Sequence, residues 1–417
     1  MIQKGTVTQT LMSPSKMLSY NLSVVLQTIK KRGPLSQAEI SRVLGCSKST
    51  ISSSIGLLEK LGLVIKAGSG NPKTGRKPVL LQFNPEAYFF IAVDLRWKKV
   101  DLAIVDMAGK IHHELSYRRI ETDPVLLIKT MIENILKLIR DSCIRNDQIE
   151  GIGIMVPGIV DTNLGIVRYS STLGWEEEVP LVQKVRETID KQVIIYNDAN
   201  ALALGEMWIG NGKGYSHMAF IYTEGGLGGA CLYNGEIILG YNSAAGEFGK
   251  MLITSDMKPQ RSEYSLSLPY LLSRYGNTET NDIDYETTVK EAIALLRDGD
   301  HSNRALNMMD EIVDKTAQMI VNIVAIFNPQ VFIINCSYLT DPESFISLVR
   351  ERVSGYLPQK PYRSINIMNS SLDDRTEVIG AAAAAISHSR FYFIIHGGSS
   401  GYYGRQNFIG IGARSVS

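Results

Sequence analysis

Apolar residues recur at helical spacing near the start of the chain, where they predict two helices. The first helix is predicted over about 21–31 from four apolar residues: Leu22, Val25, Leu26 and Ile29. Gly33-Pro34 ends it, because proline cannot continue a helix. Ser36 with Glu39 three residues on is a capping-box pattern, which predicts a second helix. Its buried residues are expected to be Ala38, Ile40, Val43 and Leu44.

A third helix is predicted after a tight turn. Gly45 can adopt the left-handed conformation that such a turn requires, and Ser47 is suited to cap the helix behind it. The apolar face of this helix consists of Ile51, Ile55, Leu58 and Leu61. Its polar face begins with short hydroxyl side chains and one lysine: Ser47, Lys48, Ser49, Thr50, Ser52 and Ser53. This helix-turn-helix pattern favours insertion into a DNA major groove, although a solvated surface helix could carry the same serines.

Two short apolar runs flank a basic, glycine-rich loop behind the third helix. The runs, 64–66 and 79–83, are predicted strands, and the loop between them reads AGSGNPKTGRKP. Together they form the pattern of a wing, in which Lys73, Arg76 and Lys77 would contact the DNA backbone or the minor groove. A flexible linker is the alternative, and the apolar strands on both sides make it the weaker one.

From Tyr88 onwards, apolar runs alternate with amphipathic segments, which is the pattern of an α/β fold. A hairpin is predicted over FFIAVDLRW and KVDLAIVDMAGKI, and buried strands are predicted over GIGIMVP and VIIYNDAN. Long helices are predicted over 123–143 and 305–327, and an alanine-rich helix over 377–386. Two α/β lobes with a cleft between them account for this order, and ligands are expected where strands end.

The charge of the chain is distributed unevenly. The 417 residues carry a net charge of only +1, and this length is enough for more than one domain. Residues 1–87 hold 12 Lys/Arg against 3 Asp/Glu, whereas the remainder holds 31 against 39. A basic N-terminal module would attract phosphate backbones through counterion release, although a solvated basic surface is the alternative.

The composition is that of an ordinary globular protein, with 44% hydrophobic and 20% charged residues. There is no signal-peptide pattern and no apolar run long enough to span a bilayer. The four cysteines are far apart and form no CxxC: Cys46, Cys143, Cys231 and Cys336. We therefore expect a cytoplasmic protein without a membrane partner, a disulfide framework or a cysteine zinc site.

Four motifs in the body occur in the order in which a known family has them: GIGIMVPGIVDTNLGIV, STLGW, YNDANALALGE and AAGEFGKM. Through them the chain resembles the ROK family of bacterial repressors and sugar kinases, from Leu22 to about Ile386. The basic GRKP loop behind a winged helix-turn-helix is similar to the repressor branch, which includes xylose- and other sugar-responsive repressors. The resemblance implies a two-lobe, actin/hexokinase-like (ribonuclease H-like) body and a dimer.

The same resemblance implies a sugar site. Asn197 and Asp198 end an apolar strand, and the aspartate matches the base that deprotonates the attacking hydroxyl in the family's kinases. Glu247 matches a sugar-contacting glutamate, and Glu263, in EYSLSLPYLL, is expected to contact sugar as well. Residues where family members line the pocket are Gly158, Leu173 and Gly174. Each acid could instead cap a helix or strand at the surface.

The family's structural zinc site is not expected in this chain. Family members have a histidine after the GE-x-G segment and a cysteine cluster beyond it, whereas this chain has Lys250 at the histidine position and no cysteine in 251–262. Without these ligands no zinc, and no other metal, is predicted. Lys250 could instead bond a sugar hydroxyl or pair with Glu247 or Glu263.

Both loops that bind nucleotide phosphates in the family's kinases are altered. The D-x-G-G-T turn corresponds to Asp94 followed by Leu95-Arg96-Trp97-Lys98, where large side chains replace glycines that let backbone approach phosphate. The second loop, TEGGLGGACLYNG, keeps its glycines, which a plain hairpin would also explain, but Glu224 would repel a phosphate. No ATP, no other cofactor and no catalytic residue is therefore expected, and Asp198 would serve as a sugar ligand.

These patterns predict a repressor of carbohydrate-utilisation genes that a sugar releases from operator DNA. The expected organisation is an arm (1–16), a winged helix-turn-helix (17–87), a ROK sugar-binding domain (88–387) and a tail of unknown role (388–417). A two-fold symmetric dimer would read an inverted repeat, while higher oligomers and a phosphotransfer-protein partner remain open. The alternatives are an ATP-dependent ROK sugar kinase with an added DNA head, and a DNA-binding scaffold with an inactive cleft. The identity of the sugar and of the genes is not readable from one chain.

Overall fold

The computed structural model describes residues 14–69, 77–96, 99–223, 227–255, 258–266, 303–335, 341–357, 359, 365–372 and 376–396. These residues form two compact units. One, which we call the helical unit, contains the residues up to Phe89 and those from His388 onwards. The other, the two-sheet unit, contains Phe90–Ser387.

The described helices and strands alternate along most of the chain. The helices are α1 (Pro14–Arg32), α2 (Gln37–Leu44), α3 (Lys48–Lys60), α4 (Pro124–Asp141), α5 (Leu181–Arg186), α6 (Asp198–Trp208), α7 (Ser262–Leu266), α8 (Asn303–Phe327), α9 (Pro342–Tyr356), α10 (Thr376–Ser387) and α11 (Tyr392–His396). The strands are β1 (Leu35–Ser36), β2 (Val64–Ser69), β3 (Val79–Phe83), β4 (Phe89–Leu95), β5 (Lys99–Asp106), β6 (Ile111–Arg118), β7 (Ile149–Val156), β8 (Ile159–Asp161), β9 (Ile166–Tyr169), β10 (Gln192–Asn197), β11 (Met218–Tyr222), β12 (Gly228–Tyr233), β13 (Glu236–Ile237), β14 (Leu252–Ser255), β15 (Lys258–Arg261), β16 (Val331–Asn335) and β17 (Asn366–Asn369). None of the described helices is long and apolar enough to cross a membrane.

Helix α1 is longer than the sequence predicted. It begins at Pro14, so residues 14–16, which were assigned to a loose arm, are helical, while 1–13 lie outside the described residues. It ends at Arg32, directly before Gly33-Pro34. The four apolar residues that predicted the helix are all buried: Leu22, Val25, Leu26 and Ile29.

Helix α2 has the predicted caps but not the predicted buried face. The hydroxyl of Ser36 accepts the backbone N–H of Glu39 at 3.3 Å, and the Glu39 carboxylate accepts the backbone N–H of Ser36 at 2.8 Å. Gly45 ends the helix with φ +63°. Ala38 and Val43 are exposed and Leu44 is only half-buried, contrary to the prediction, because this two-turn helix buries only Ile40.

The wing is a small antiparallel sheet of order β1-β3-β2. Strand β2 continues to Ser69 and therefore takes up the beginning of the predicted loop. The tip, 70–76, lies outside the described residues. Strand β1, which precedes α2, was not predicted, because two residues carry no periodicity.

The two-sheet unit contains the two α/β lobes that the alternation predicted. The first sheet has the order β10-β7-β4-β5-β6, with β10 parallel to β7 and β5 antiparallel to β6. The second has the order β13-β12-β11-β16-β17, with β16 parallel to both of its neighbours. Parallel neighbours need crossover connections, which the helices supply. In the second lobe, α8 lies between β11 and β16 in the chain, and α9 lies between β16 and β17.

Helices α6 and α10 each lead from one sheet to the other. Helix α6 follows β10 of the first sheet and precedes β11 of the second, whereas α10 follows β17 of the second sheet and packs on β7 of the first. The two helices touch through their backbones: a methyl group on Gly380 would lie 3.0 Å from the carbonyl of Ala201. A methyl group on Gly153 of β7 would lie 1.9 Å from the carbonyl oxygen of Ala381. Glycine at both positions therefore permits this close packing.

Candidate functional site

Helix α3 begins with a network of short hydroxyl side chains. The hydroxyl of Ser47 accepts the backbone N–H of Thr50 at 3.2 Å, and the same oxygen lies 2.8 Å from the hydroxyls of Ser49 and Thr50. Lys48, Ser52 and Ser53 are exposed beside this cap. The opposite face is buried and consists of Ile51, Ser54, Ile55 and Leu58. All six residues predicted to face DNA on α3 are thus on one exposed surface.

Of the three wing residues predicted to contact DNA, the structure describes one. Lys77 is exposed just before β3. Lys73 and Arg76, which were predicted to contact DNA from the wing, lie outside the described residues.

Asn197 and Asp198 lie where β10 becomes α6. The Asn197 side-chain oxygen accepts the backbone N–H of Ala199 at 3.0 Å, and its amide donates to the carbonyl oxygen of Gly158 at 2.8 Å. One carboxylate oxygen of Asp198 accepts the same Ala199 N–H at 2.8 Å. Asn197 is therefore the cap of α6, and it also fastens the loop that contains Gly158.

Gly158 connects this strand end with the predicted pocket residues of the next loop. It has φ +118°, and a methyl group there would lie 2.3 Å from the carbonyl oxygen of Tyr169. The hydroxyl of the following residue, Ser170, accepts the backbone N–H of Leu173 at 3.1 Å. Leu173 is buried, while Gly174 is exposed in the same turn with φ +73°.

Glu247, Lys250 and Glu263 meet around a single short turn. The Lys250 ammonium lies 3.1 Å from a carboxylate oxygen of Glu247, so this lysine pairs with Glu247 and not with Glu263. The backbone of Gly249 lies against Glu263, since a methyl group on this glycine would be 3.2 Å from the Glu263 carboxylate. Glu263 pairs with Arg261 at 3.2 Å.

The negative charge of Glu247 acts on the candidate acid Asp198. The pKa of Asp198 is raised to about 6, chiefly because the carboxyl loses solvation and also because of the Glu247 charge, while hydrogen bonds from Ala199 and Asn197 act in the opposite direction. The Lys250 ammonium lies beside Glu247, so groups of both signs belong to this part of the molecule. Convergent acceptors and donors of this kind suit a ligand rich in hydroxyl groups.

The turn after β4 contains a cluster of charges. The Arg96 guanidinium binds the buried Asp94 carboxylate, and it lies 3.3 Å from Asp101 and 3.5 Å from Glu377 at the start of α10. Burial raises the pKa of Asp94 to about 7 despite the opposing charge of Arg96. Sequence reasoning selected Arg96 but missed Glu377, because no local pattern connects residues so distant in the chain.

Parts of both loops that match the kinases' phosphate loops lie outside the described residues, namely Trp97-Lys98 and Glu224–Gly226. The described part of the second loop lies against sequence neighbours of the two acids: a methyl group on Gly228 would be 3.2 Å from Cβ of Ala199, the neighbour of Asp198. Gly229 supports the ring of Phe248, the neighbour of Glu247, because a methyl group there would be 1.9 Å from a ring carbon.

The segment predicted to lack a zinc site, 251–262, contains two short paired strands. Strands β14 and β15 pair in antiparallel fashion, and the Lys315 ammonium binds the carbonyl oxygen of Thr254 in β14. Ser262 closes the hairpin, since its N–H donates to the carbonyl of Met251 at 2.8 Å and its hydroxyl donates to that of Phe248 at 2.5 Å. These contacts order the segment and hold it against the turn that contains Glu247.

A winged helix-turn-helix and a two-lobe α/β body thus occur in one chain, and comparison with known proteins agrees with both parts. The ROK family model matches residues 90–388. The MarR family model matches residues 23–76, which include α2 and α3. The chain therefore belongs to the ROK family, and the fold class predicted from its sequence is confirmed.

Relatives include both repressors and kinases. The chain is 29% identical to a putative xylose repressor of Caldicellulosiruptor sp. (strain Rt8B.4), over 88% of this chain and 95% of that protein. It is 25% identical to a glucokinase of Thermotoga maritima, over 70% of this chain and 96% of the kinase. A crystal structure of a ROK family transcriptional regulator, a homologue of the E. coli MLC protein, superposes with a TM-score of 0.70 at 18% identity, covering 91% of this chain and 97% of that one.

Proposed function

We propose that this protein is a transcriptional repressor of carbohydrate-utilisation genes, which a sugar bound in the two-sheet unit releases from its operator. The observation that carries the proposal is the presence, in one chain, of a capped and exposed recognition helix, an aspartate (Asp198) at the junction of β10 and α6, and a Glu247–Lys250 pair 3.1 Å apart. The putative xylose repressor that resembles this chain aligns with it over both units. D-xylose is therefore the first sugar to test.

Sugar recognition in this proposal relies on side chains of both signs. Asp198, Glu247 and Glu263 accept hydrogen bonds from sugar hydroxyls, while Lys250 and the Asn197 amide donate them. Lys250 already neutralises part of the Glu247 charge, at 3.1 Å. Gly158, Leu173 and Gly174 would shape the wall of the pocket. No metal or nucleotide takes part.

DNA recognition uses α3 in the major groove and the wing on the backbone. Lys48 and Lys77, with Lys73 and Arg76, would neutralise phosphates, and the hydroxyls of Ser47, Ser49, Thr50, Ser52 and Ser53 would bond phosphates or base edges. A homodimer would read an inverted repeat in the cytoplasm of a bacterial cell. The sugar releases DNA only if it binds the DNA-incompetent state more tightly.

A sugar kinase is the second candidate, and one observation favours it. A pKa of about 6 suits Asp198 to act as a general base near neutral pH. The Arg96 cluster favours the repressor, because a protein cation already binds the Asp94 carboxylate in the turn that holds phosphate in the kinases. The test is ATP turnover with D-xylose, D-glucose, D-mannose and N-acetyl-D-glucosamine. Phosphorylation that disappears in Asp198→Asn would establish the kinase and contradict our proposal.

The repressor is tested with a DNA duplex selected from a random-sequence pool by the wild-type protein. We expect the selected sites to be inverted repeats, and fluorescence anisotropy to show release of the duplex by one sugar of the panel. Glu247→Ala should bind the duplex normally and lose the response to sugar. Glu133→Ala, a change on the exposed face of α4, is the matched control and should respond as wild type. Absence of any selected duplex would contradict the repressor.

A further inference from the structure

The short C-terminal helix α11 belongs to the core of the helical unit. Phe391, Ile394 and Ile395 are at most 1% exposed. The Gln27 side-chain amide of α1 donates to the carbonyl oxygen of Ile395, and the Lys30 ammonium lies 3.3 Å from the same oxygen. These donors satisfy a carbonyl that a helix end leaves without an internal partner. Helix α1 is therefore fastened to α11 by hydrogen bonds as well as by packing.

Aromatic contacts strengthen the attachment. The ring of Phe391 lies 4.4 Å from that of Tyr88, measured between centroids. The Arg390 guanidinium lies over both rings, at 5.5 Å from Tyr88 and 4.7 Å from Phe391. No role for residues 388–417 follows from the sequence, whereas these contacts make 390–396 structural members of the helical unit.

Helix α10, which precedes α11, is closely packed within the two-sheet unit. Its backbone touches that of α6 at Gly380 and Ala201, and Asp198 of the candidate sugar site is the first residue of α6. Glu377 ties its beginning to Arg96. Five consecutive alanines, 381–385, are buried along it. Because the two backbones are in contact, no side chains lie between them that could rearrange when α6 is displaced.

The chain between α10 and α11 is short and ordered. Ile386 near the end of α10 and Phe391 just before α11 are both fully buried. Between them Ser389 is buried, and its carbonyl oxygen accepts the Tyr392 N–H at 3.1 Å. Only residues 388–391 separate the end of α10 from the beginning of α11.

We propose that α10 and α11 form a coupling element, through which a sugar at Asp198 changes the position of α1 and, with it, of the recognition helix packed on α1. This inference rests on the proposed function and adds the route of its regulation. Because α6 and α10 each lead from one lobe to the other, a sugar that alters the closure of the lobes displaces α6, and α10 moves with it. The covalent connection carries that shift into the core of the helical unit.

The test is an insertion of Gly-Gly-Ser-Gly between Ser387 and His388 in the full chain. The insertion makes the connection between α10 and α11 longer and more flexible, and it keeps every residue of both helices. The same insertion between Lys213 and Gly214, in an exposed turn of the two-sheet unit, is the matched control. Each protein is titrated with the selected duplex in the absence and presence of D-xylose, D-glucose, D-mannose and N-acetyl-D-glucosamine. Sugar binding is followed separately by calorimetry, and docking of α11 by hydrogen exchange of the α1 amides.

We expect the effective sugar to weaken DNA binding of the wild type and the control by about tenfold or more, within the usual range of allosteric coupling. In the 387/388 insertion the weakening should fall below about twofold, with sugar affinity and α1 protection unchanged. Full release in that variant, or equal loss in the control, would overturn the coupling element. A wild type that no sugar of the panel releases would contradict the proposed function itself, and with it this inference.

If the insertion undocks α11, α1 protection will fall, and a second variant then decides. His388→Gly with Ser389→Gly softens the connection without changing its length. We expect this variant to keep DNA binding and to lose at least about half of the sugar-dependent change in binding free energy. An undiminished response in it would likewise overturn the inference.

Discussion

The Arg96 guanidinium binds the carboxylate of Asp94, a buried side chain two residues earlier in the chain. The second carboxylate oxygen of Asp94 is buried and accepts no hydrogen bond from the described residues. Much of the compensation for burying this carboxylate therefore comes from one cation. The buried Asp94 carboxylate therefore depends on the Arg96 cation.

Arg96→Ala should destabilise the two-sheet unit at pH 8 by about 1–3 kcal/mol. The loss is smaller than for a fully buried pair because 39% of the Arg96 side chain is exposed. At pH 5 the effect should be small, since Asp94, with a folded pKa of about 7, is then already protonated. Urea unfolding at both pH values measures it.

Asp94→Asn in the Arg96→Ala background is the control for this pair. It removes the uncompensated charge and should restore most of the stability at pH 8. Equal destabilisation by Arg96→Ala at pH 5 and pH 8 would show that the arginine acts through packing and not through charge.

Lys48→Ala should weaken binding to the selected duplex and lower the dependence of log K on log salt by about 0.9, the value for one lost phosphate contact. Lys48 is exposed in the first turn of α3. Lys60, exposed at the other end of the same helix, provides the matched control, because Lys60→Ala removes the same charge. Salt titrations by fluorescence anisotropy give both slopes. Equal slopes for the two variants would place the DNA surface elsewhere.

Local patterns predicted the helical unit well because its signals are local. The reciprocal bonds of Ser36 and Glu39 and the left-handed Gly45 follow from residues three to nine positions apart. The exposure of Val43 did not follow, since it depends on how far α2 approaches α1. The docking of α11 did not follow either, because FYFIIH reads as a generic apolar segment and its partner, Gln27, lies at the other end of the chain.

The candidate sugar site was predicted from the family resemblance and not from periodicity. Its motifs are far apart in sequence, and only the fold brings Asp198 near Glu247. The choice of Glu247 as the partner of Lys250 needed coordinates, because the sequence offers both Glu247, three residues before the lysine, and Glu263 beyond it. The pairing of β14 with β15 could not be predicted, since its surroundings rely on Ser262 and on Lys315 of the distant helix α8.

Two glycines of the helix-turn-helix should respond in opposite directions to replacement by alanine. Gly45 has φ +63°, so Gly45→Ala should destabilise the helical unit by about 1 kcal/mol. Gly56 lies inside α3 with open space around it, so Gly56→Ala should stabilise the unit by about 0.5–1 kcal/mol. Hydrogen exchange of the α3 amides reports both changes. A shift of the same sign in the two variants would contradict the left-handed turn.

Asp198→Asn should stabilise the two-sheet unit at pH 8 and leave it nearly unchanged at pH 4. The folded pKa of Asp198 is about 6, above the unfolded value of 3.8, so the folded state holds the proton more tightly. Stability therefore falls as the pH rises from about 4 through about 6, and the poorly solvated charge costs about 1–3 kcal/mol at pH 8. Asparagine keeps an oxygen to accept the Ala199 N–H but carries no charge.

Urea unfolding of the two proteins across this pH range checks the expectation. Asp190→Asn, at an exposed position, is the control and should follow the wild-type curve. Calorimetric titration with the effective sugar over the same pH range separates stability from function. If the Asp198 carboxylate accepts hydrogen bonds from sugar hydroxyls, the affinity of the wild type for the sugar rises through about pH 6. Asp198→Asn should then bind the sugar weakly at every pH. Parallel stability curves for wild type and Asp198→Asn would mean that this carboxylate is neither buried by the fold nor opposed by Glu247.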